Sequence, residues 1–265
     1  MKNSLSRLRN LDKMCRMLMK DIGDAYAIPG DLKGKQLLLR GLMNMRYPIT
    51  MNPDFLELQD KELQLQRQEK GEVSVDSLVK DSKLYIWQGD ITRLQIDVIV
   101  NAANNQMLGC FQPLHACIDN VIHSAAGIQL RDACDKLMKE QGYPEETGQA
   151  KITPGFNLPA RYVIHTVGPI ISDGIPTEEQ CEQLASCYRS CLQLAEEKGL
   201  SSIAFCCIST GVFRFPNQQA AKIAVREVKS FMKGANHVKY VIFNVFKDQD
   251  LDIYRRLLAA DEGGA

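Results

Sequence analysis

The strongest constraint on the fold is an alternation of short apolar segments with amphipathic segments between residues 83 and 246. Short apolar segments bounded by turn residues predict strands, and helical patterns separate most of them. This order is typical of an α/β domain with a parallel or mixed sheet. The predicted strands are KLYIWQ (83–88), DVIVNAA (97–103), YVIHTV (162–167), IAFCCI (203–208) and VKYVIFNVF (238–246).

Three amphipathic helices are predicted between these strands. One runs from about Glu178 to Lys198 and ends at Gly199, a residue that favours the left-handed C-cap conformation. Another opens at Asn217, a favoured N-cap residue, and runs to Gly234. A third starts near Asp119 and carries on related faces Ile118, Ile122, Ala126, Leu130, Cys134 and Leu137.

The first part of the chain has a different texture. Apolar residues recur at three- and four-residue steps between Leu8 and Ile22, and a second helix is predicted over residues 33–45. The polar stretch DFLELQDKELQLQRQEKG has apolar positions too irregular to assign. We predict a helical extension over residues 1–73, followed by an α/β domain over residues 74–265.

Composition excludes several classes of function. The 32 basic and 32 acidic residues cancel, so no long-range field favours nucleic acid or an anionic membrane. No segment approaches the ~20 apolar residues of a membrane-spanning helix, and the N-terminus shows no secretory signal pattern. Nine cysteines, an odd number, favour free thiols over a disulfide framework. We expect a cytoplasmic protein without nucleic-acid or membrane partners.

Polar loops follow four of the predicted strands, where open α/β sheets bind their ligands. These loops are GDIT (89–92), NAAN (101–104), GP (168–169) and STGVFRFPN (209–217). Small residues and glycine in STGVF let backbone N–H groups converge on an anion, although an ordinary turn has the same composition. Asp90 of GDIT either accepts a hydrogen bond from an exocyclic amine or caps a turn.

In this order, GDIT, DVIVNAAN, CIDNVIHSAAG, TGQAKITPGFNLPARYVIHTVGP and IAFCCISTGVFRFPNQQAA closely resemble the macrodomain family of ADP-ribose-binding modules. The resemblance covers roughly residues 83–260. It implies a three-layer α/β/α fold with a mixed central sheet, here preceded by the helical extension. It also implies that the chain binds ADP-ribose.

The same resemblance implies roles for individual residues. Asp90 matches the acceptor for the adenine amine, and Ile91 matches the backbone donor to a phosphate. Asn104 matches the residue that faces the distal ribose, whereas Asn101 is expected to hold the loop and Asn244 to lie near the adenosine. The diphosphate loop, whose aromatic ring lies beside the distal ribose, is matched by Ser209, Thr210, Gly211, Val212 and Phe213.

One loop departs from hydrolytic macrodomains of the glycine-loop type, because QMLGCFQPLHAC replaces the glycines that follow NAAN. Thiolate and imidazole are preferred ligands of Zn²⁺, and three ligands leave a catalytic position open. The spacing Cys110-x4-His115-x-Cys117 is not that of a zinc finger, and buried thiols beside a solvated imidazole also fit it. The loop is similar to that of the zinc-dependent macrodomain branch. This implies Zn²⁺ held by Cys110, His115 and Cys117 beside the distal ribose.

Asp119 follows this loop at the predicted start of a helix. The resemblance implies that it is the acidic residue near the anomeric carbon and that Asn104 is its catalytic partner. Cys117, Ile118 and Asp119 are expected to line the substrate site. These assignments predict a zinc-dependent protein-ADP-ribose hydrolase that removes mono-ADP-ribose from a modified side chain by cleavage at C1″.

Zinc-dependent macrodomains are typically microbial and associated with a sirtuin-type transferase that modifies a lipoyl-carrier protein. The resemblance therefore implies a mono-ADP-ribosylated carrier as substrate and ADP-ribose as product. Three other functions are compatible with the residues: a reader that binds ADP-ribose without turnover, an O-acetyl-ADP-ribose deacetylase, and a zinc-stabilised interaction module. Asp119 and the Cys-His-Cys loop argue against the reader, and an open metal position argues against the module.

The other histidines and six further cysteines are not expected to be metal ligands. His123 lies one helical turn after Asp119, where it either orients that carboxylate or packs. His165 lies within a predicted strand and is expected to be structural, whereas His237 lies in a polar turn and is expected to be solvated. The cysteines expected to be structural are Cys134, Cys181, Cys187, Cys191, Cys206 and Cys207.

Overall fold

A six-stranded mixed sheet lies at the centre of the computed structural model, which describes residues 2–79 and 82–259. The strands of these residues are β1 (Val73–Ser74), β2 (Leu84–Gln88), β3 (Leu94–Gln95), β4 (Val98–Ala103), β5 (Ala150–Pro154), β6 (Tyr162–Val167), β7 (Ser202–Phe205) and β8 (Tyr240–Val245). The main sheet has the order β2-β8-β7-β4-β6-β5, and β1 pairs only with β3. Neighbours in the main sheet are parallel except β5, which is antiparallel to β6. The predicted mixed sheet is confirmed.

The five predicted strands are all present, and one of them ends earlier than predicted. Strand β7 ends at Phe205, whereas the apolar pattern continued to Ile208. Its pairing with β4 stops where Val100 meets Phe205, and the chain then turns into the loop that carries STGVF. Strand β5 was not predicted. It pairs on one side only, and its sequence AKITP has the lysine and proline that are typical of a sheet edge.

Helices pack with this sheet in the predicted three-layer α/β/α arrangement. Val98, Ile99 and Val100 of β4 are fully buried, as expected for a parallel strand covered on both faces. No helix of the described residues is long and apolar enough to cross a membrane. The helices of these residues are α1 (Lys2–Ile22), α2 (Leu32–Met45), α3 (Pro53–Lys70), α4 (Ile118–Ala126), α5 (Ile128–Gln141), α6 (Glu178–Glu197), α7 (Asn217–Met232) and α8 (Asp248–Ala259).

Two helix predictions require correction. The single helix predicted after Asp119 is divided into α4 and α5, because Gly127 between them has a φ of 97°, which is outside the helical region. Helix α7 starts at Asn217 as predicted, but its N-cap position is Pro216. The Asn217 side chain instead donates a hydrogen bond to Asp250 Oδ1 at 2.6 Å.

The helical extension consists of α1, α2 and α3, which pack around their own apolar cluster. Helix α3 occupies the polar stretch that the apolar pattern left unassigned. The side chain of Asn52 caps its start, and Gly71, with a φ of 74°, follows its end. The apolar cluster also includes Ile128 of α5, so the extension packs directly against the α/β domain. The domain boundary near residue 73 stays a prediction.

Candidate active site and metal centre

Asn101 and Asn104 lie at the carboxyl end of the central strand β4. The Asn101 side chain is fully buried and donates a hydrogen bond from Nδ2 to Asp119 Oδ1 at 2.8 Å. Its Nδ2 also lies 3.2 Å from His165 Nδ1 of the neighbouring strand β6. Asn104 Nδ2 lies 3.5 Å from the second carboxylate oxygen of Asp119. The two asparagines of NAAN therefore hold one carboxyl group between them.

Asp119 occupies the first turn of α4, and only 5% of it is exposed. Burial raises the pKa of this carboxyl group to about 6, while the hydrogen bond from Asn101 and the charge of Arg131 act in the opposite direction. His123, one turn later, places Nε2 at 3.5 Å from Asp119 Oδ1. With this raised pKa, the carboxyl group can gain or lose a proton close to neutral pH.

Cys110, His115 and Cys117 converge in the loop before α4. One ligand atom from each residue lies within 4.8 Å of the others, and Cys110 Sγ is 3.5 Å from His115 Nδ1. Zinc–ligand bonds of about 2.0–2.3 Å at tetrahedral angles place neighbouring ligand atoms roughly 3.5–3.8 Å apart. The donor set and its spacing in the fold therefore fit Zn²⁺, with three protein ligands and one position left for another group.

Cys117 also has a structural role at the start of α4. It is the N-cap residue, and its Sγ accepts a hydrogen bond from the backbone N–H of Asn120 at 3.4 Å. Burial is the main cause that raises the pKa of this thiol to about 11, with further contributions from Cys110 and Asp119. Metal ions bind cysteine as the thiolate. Binding of a cation here would therefore release the protons of the two thiols.

A second group of possible metal ligands, His123, Cys134 and His165, lies behind Asp119 and is buried. His165 Nε2 is 2.9 Å from Thr153 Oγ1, and burial lowers the pKa of this histidine to about 3. Burial also lowers the pKa of His123. The His123 and His165 rings are tilted, with centroids 5.9 Å apart. These buried, uncharged side chains pack near the Asp119 carboxylate, as expected for structural residues.

Asp90 caps the turn that follows β2. Its Oδ1 accepts hydrogen bonds from the backbone N–H of Thr92 at 3.0 Å and from the Thr92 hydroxyl at 2.6 Å. Lys70 at the end of α3 lies 3.6 Å from Asp90 Oδ2. The neighbouring Ile91 is buried. Asn244, expected near the adenosine, donates hydrogen bonds to the carbonyl groups of Trp87 at 3.3 Å and Gly89 at 3.0 Å. It therefore ties the end of β8 to the GDIT loop.

The loop after β7 carries the residues expected to bind the diphosphate. Ser209 is buried and has a φ of 64°, and its carbonyl group accepts a hydrogen bond from Phe215 N at 2.9 Å. The chain between these residues is a tight turn whose tip, Gly211 and Val212, is exposed. The Phe213 carbonyl group accepts a hydrogen bond from Ile171 N at 2.8 Å, which joins this turn to the loop after β6.

Comparison with known proteins agrees with this arrangement. A family model described as Macro domain matches residues 100–224. A relative from Treponema medium named "Protein-ADP-ribose hydrolase" is 51% identical over 237 residues, which is 88% of this chain and 90% of the relative. The chain belongs to the macrodomain family. A relative of the same name from Staphylococcus aureus (strain MRSA252) is 45% identical over 262 residues, 98% of each protein. The predicted hydrolase class of this macrodomain is confirmed by these relatives.

Solved macrodomain structures agree with the fold. A structure described as an Oceanobacillus iheyensis macrodomain mutant with ADPR is 39% identical, with a TM-score of 0.63. The similarity covers 69% of this chain and 97% of that structure. The part of this chain that the match does not cover is similar in length to the helical extension.

The structure adds residues that sequence reasoning did not single out. Arg40 and Asn44 of α2 contact the Cys-His-Cys loop, and Arg131 of α5 contacts both the loop and the end of α2. Asn120 follows Asp119 directly and accepts a hydrogen bond from Arg40. The sequence carries no local signal for these contacts, because Arg40 and Asn120 are 80 residues apart.

Proposed function

We propose that this macrodomain is a zinc-dependent protein-ADP-ribose hydrolase. It removes mono-ADP-ribose from a modified side chain by cleavage at C1″ of the distal ribose. The observation that carries the proposal is the convergence of Cys110, His115 and Cys117 within 4.8 Å, on the loop that leads directly to the buried Asp119. The names of the relatives support the substrate class.

The loops at the carboxyl end of the sheet provide the binding groups. Backbone N–H groups in the turn over residues 209–213 would bind the diphosphate, as small residues in a tight turn after a strand allow. Asp90 Oδ1 caps the turn, so Oδ2, which lies 3.6 Å from Lys70 Nζ, is the oxygen that would accept the adenine amine. Asn104 and the ring of Phe213 lie against the distal ribose.

Asp119 acts at the anomeric carbon. The bond between C1″ and the protein side chain breaks, a water oxygen bonds to C1″, and a water proton leaves with the side chain. Positive charge develops on the ribose, as in other glycosidic cleavages, and a nearby carboxylate stabilises it and steers the water. The hydrogen bond from Asn101 at 2.8 Å fixes the orientation of this carboxylate.

The thiols of Cys110 and Cys117 and the imidazole of His115 would hold the metal beside the distal ribose. When bound, Zn²⁺ supplies Lewis acidity, which lowers the pKa of water and polarises oxygen atoms. Because Cys117 caps α4 and Asp119 lies in the first turn of that helix, this chemistry and the carboxylate would act on the same side of the substrate. We propose a cytoplasmic location. We also propose a lipoyl-carrier protein, modified by a sirtuin-type transferase, as one physiological substrate.

The test is release of ADP-ribose from a mono-ADP-ribosylated protein by the full chain, with and without a chelator. We expect Cys117→Ala, Asp119→Ala and chelation each to lower the rate by about 100-fold or more. Cys181→Ala is the matched control, because this half-buried thiol lies on α6. Its rate is expected to equal that of the wild type.

Other outcomes separate the remaining functions. Unchanged release after chelation and in Cys117→Ala would contradict a catalytic zinc. Binding of ADP-ribose without release would favour a reader, and turnover of O-acetyl-ADP-ribose alone would favour a deacetylase. A structural zinc predicts a lower unfolding temperature after chelation, with little change in turnover at temperatures where the protein stays folded.

A further inference from the structure

The loop that carries the three proposed metal ligands is held at several points by side chains from outside it. We call residues 105–117 the metal loop. Leu114, directly before the ligand His115, has a φ of 57°, in the left-handed region that residues with a side chain rarely adopt. Such a conformation persists only where the surroundings fix it. The backbone N–H of Leu114 donates to Asn44 Oδ1 at 3.0 Å, so a residue of α2 holds this position.

Arg40, one turn earlier on α2, contacts the metal loop at a second point. Its Nη2 donates to the carbonyl group of His115 at 3.2 Å and to Asn120 Oδ1 at 2.8 Å. Asn120 is fully buried, and its Nδ2 donates to the carbonyl groups of Gln112 at 2.9 Å and Cys110 at 3.5 Å. One guanidinium group therefore connects the backbones of two ligand residues.

Asn44 connects the metal loop to α4, the helix that Cys117 caps. Its Nδ2 donates to Ser124 Oγ of α4 at 3.0 Å, while its Oδ1 holds the loop. Only 1% of Asn44 is exposed. Cys117 caps α4, and Asp119 lies in the first turn of that helix. Helix α2 therefore contacts both the metal loop and the helix next to the third ligand and the carboxylate.

Arg131 of α5 also connects the end of α2 to the metal loop. Its Nη1 donates to the carbonyl groups of Met43, Asn44 and Arg46 at 2.5–3.2 Å. Its guanidinium carbon lies 4.2 Å above the Phe111 ring of the metal loop. The Tyr47 ring stacks on Phe111 with a centroid distance of 4.8 Å. The end of α2 and the metal loop thus form one packed unit.

We propose that Arg40 and Asn44 of the helical extension are positioning residues for the metal site. They act through the loop backbone, by fixing the relative placement of Cys110, His115 and Cys117. The inference rests on the metal site of the proposed function and assigns a task to the extension within it. Outer residues that orient metal ligands typically contribute 10- to 100-fold to metal affinity.

The test is a titration of the metal-free full chain with Co²⁺, which reports its own coordination through its visible absorption. We expect Arg40→Ala and Asn44→Ala to lower Co²⁺ affinity by about 10- to 100-fold and to weaken the absorption bands of a tetrahedral site. Arg40→Lys is expected to recover part of the affinity, because an ammonium group keeps the charge and several N–H donors but ends on a shorter side chain than the Nη2 atom that contacts both acceptors. Thermal unfolding of each metal-free variant is measured in parallel.

Arg16→Ala is the matched control, since Arg16 is an exposed arginine of α1 in the same extension. Its Co²⁺ affinity is expected to equal that of the wild type. If Asn44→Ala does not fold, Arg40→Ala carries the test, because Arg40 is only half-buried.

The outcomes distinguish this inference from the proposed function. A wild type that binds Co²⁺ tightly, together with Arg40 and Asn44 variants of equal affinity and equal spectrum, overturns the positioning role and leaves the metal site intact. A wild type that does not bind Co²⁺ through Cys110, His115 and Cys117 overturns the metal part of the proposed function, and the inference fails with it. A loss of affinity that parallels a loss of metal-free stability assigns Arg40 a structural role only.

Discussion

Gly109, next to the proposed metal ligand Cys110, lies in close contact with His123. Its φ is 78°, and a Cβ at this position would lie 2.9 Å from Cγ of His123. The Asn104 side chain also donates to the Gly109 carbonyl group at 3.1 Å. Both the backbone conformation and the contact with the imidazole ring therefore require glycine here.

We predict that Gly109→Ala destabilises the protein more than Gly142→Ala. Gly142 has a similar φ of 82°, but a Cβ there would meet nothing within 4 Å. Both variants carry the left-handed strain of about 1–2 kcal/mol, and only Gly109→Ala adds a clash with a buried ring. Urea unfolding of the metal-free variants measures the difference. Equal free energies of unfolding for the two variants would mean that the His123 ring moves away from the added methyl group without loss of stability.

Sequence reasoning was most successful for residues that belong to local motifs. Cys110, His115, Cys117 and Asp119 lie within ten residues of one another, and the structure brings the side chains of the first three together. The contact of Asn101 with His165 spans 64 positions, and the contact of Arg40 with His115 spans 75. No spacing in the sequence predicts such contacts, because they depend on which strands and helices become neighbours.

At the level of elements, the carboxylate of Glu196 at the end of α6 binds the backbone of the segment before β8. Glu196 accepts hydrogen bonds from the backbone N–H groups of Val238, His237 and Asn236 at 2.8–2.9 Å. His237 Nδ1 lies 3.1 Å from the same carboxylate, so the side chain expected to be solvated has a partner. These hydrogen bonds, led by that of Val238, lower the pKa of Glu196 to about 2.

We predict that Glu196→Gln is less stable than the wild type at pH 7 and that the difference disappears in acid. Because the folded pKa is lowered, the stabilisation is complete above the unfolded pKa of about 4.3 and is lost as pH falls toward 2. Urea midpoints between pH 2 and pH 7 measure it. Glu197→Gln, at the exposed neighbouring position, is the control. A difference that stays constant with pH would contradict this account.

The elements that the sequence did not predict have identifiable physical causes. Helix α3 buries Gln59 and Glu62 beside Phe55 and Leu63, and polar side chains on the inner face conceal its helical period. The division of the helix after Asp119 depends on Gly127, whose φ no periodicity reveals. By contrast, the central strands were predicted well, because burial on both faces makes them continuous apolar runs.

At the level of the whole molecule, buried polar contacts join the extension to the macrodomain. Gln59 of α3 accepts a hydrogen bond from the backbone N–H of Ile128 at 2.9 Å, at the first residue of α5. Its Nε2 donates to Gln129 Oε1 at 2.7 Å. The first N–H groups of a helix have no partner within the helix, so Gln59 supplies one across the interface.

We predict that Gln59→Leu lowers the stability of the whole chain by about 1–3 kcal/mol, because it leaves a buried N–H group unsatisfied. For a chain of this size, each kcal/mol lowers the unfolding temperature by roughly 2–4 °C. The matched control is Gln68→Leu, at an exposed position of the same helix. Differential scanning calorimetry should give one transition that shifts as a unit. Two transitions, with only one shifted, would mean that the extension unfolds independently.

The contacts between α2 and the metal loop limit how this active site can be moved between proteins. A graft of residues 105–117 alone into a macrodomain without the extension would carry the ligands but not the groups that hold Leu114 and His115 in place. A transferable unit has to include Arg40, Asn44 and Arg131 as well, which are distant in sequence. If the metal loop binds the proposed metal, its exchange for a glycine loop is a change of several elements together, and point substitutions within the loop would not accomplish it.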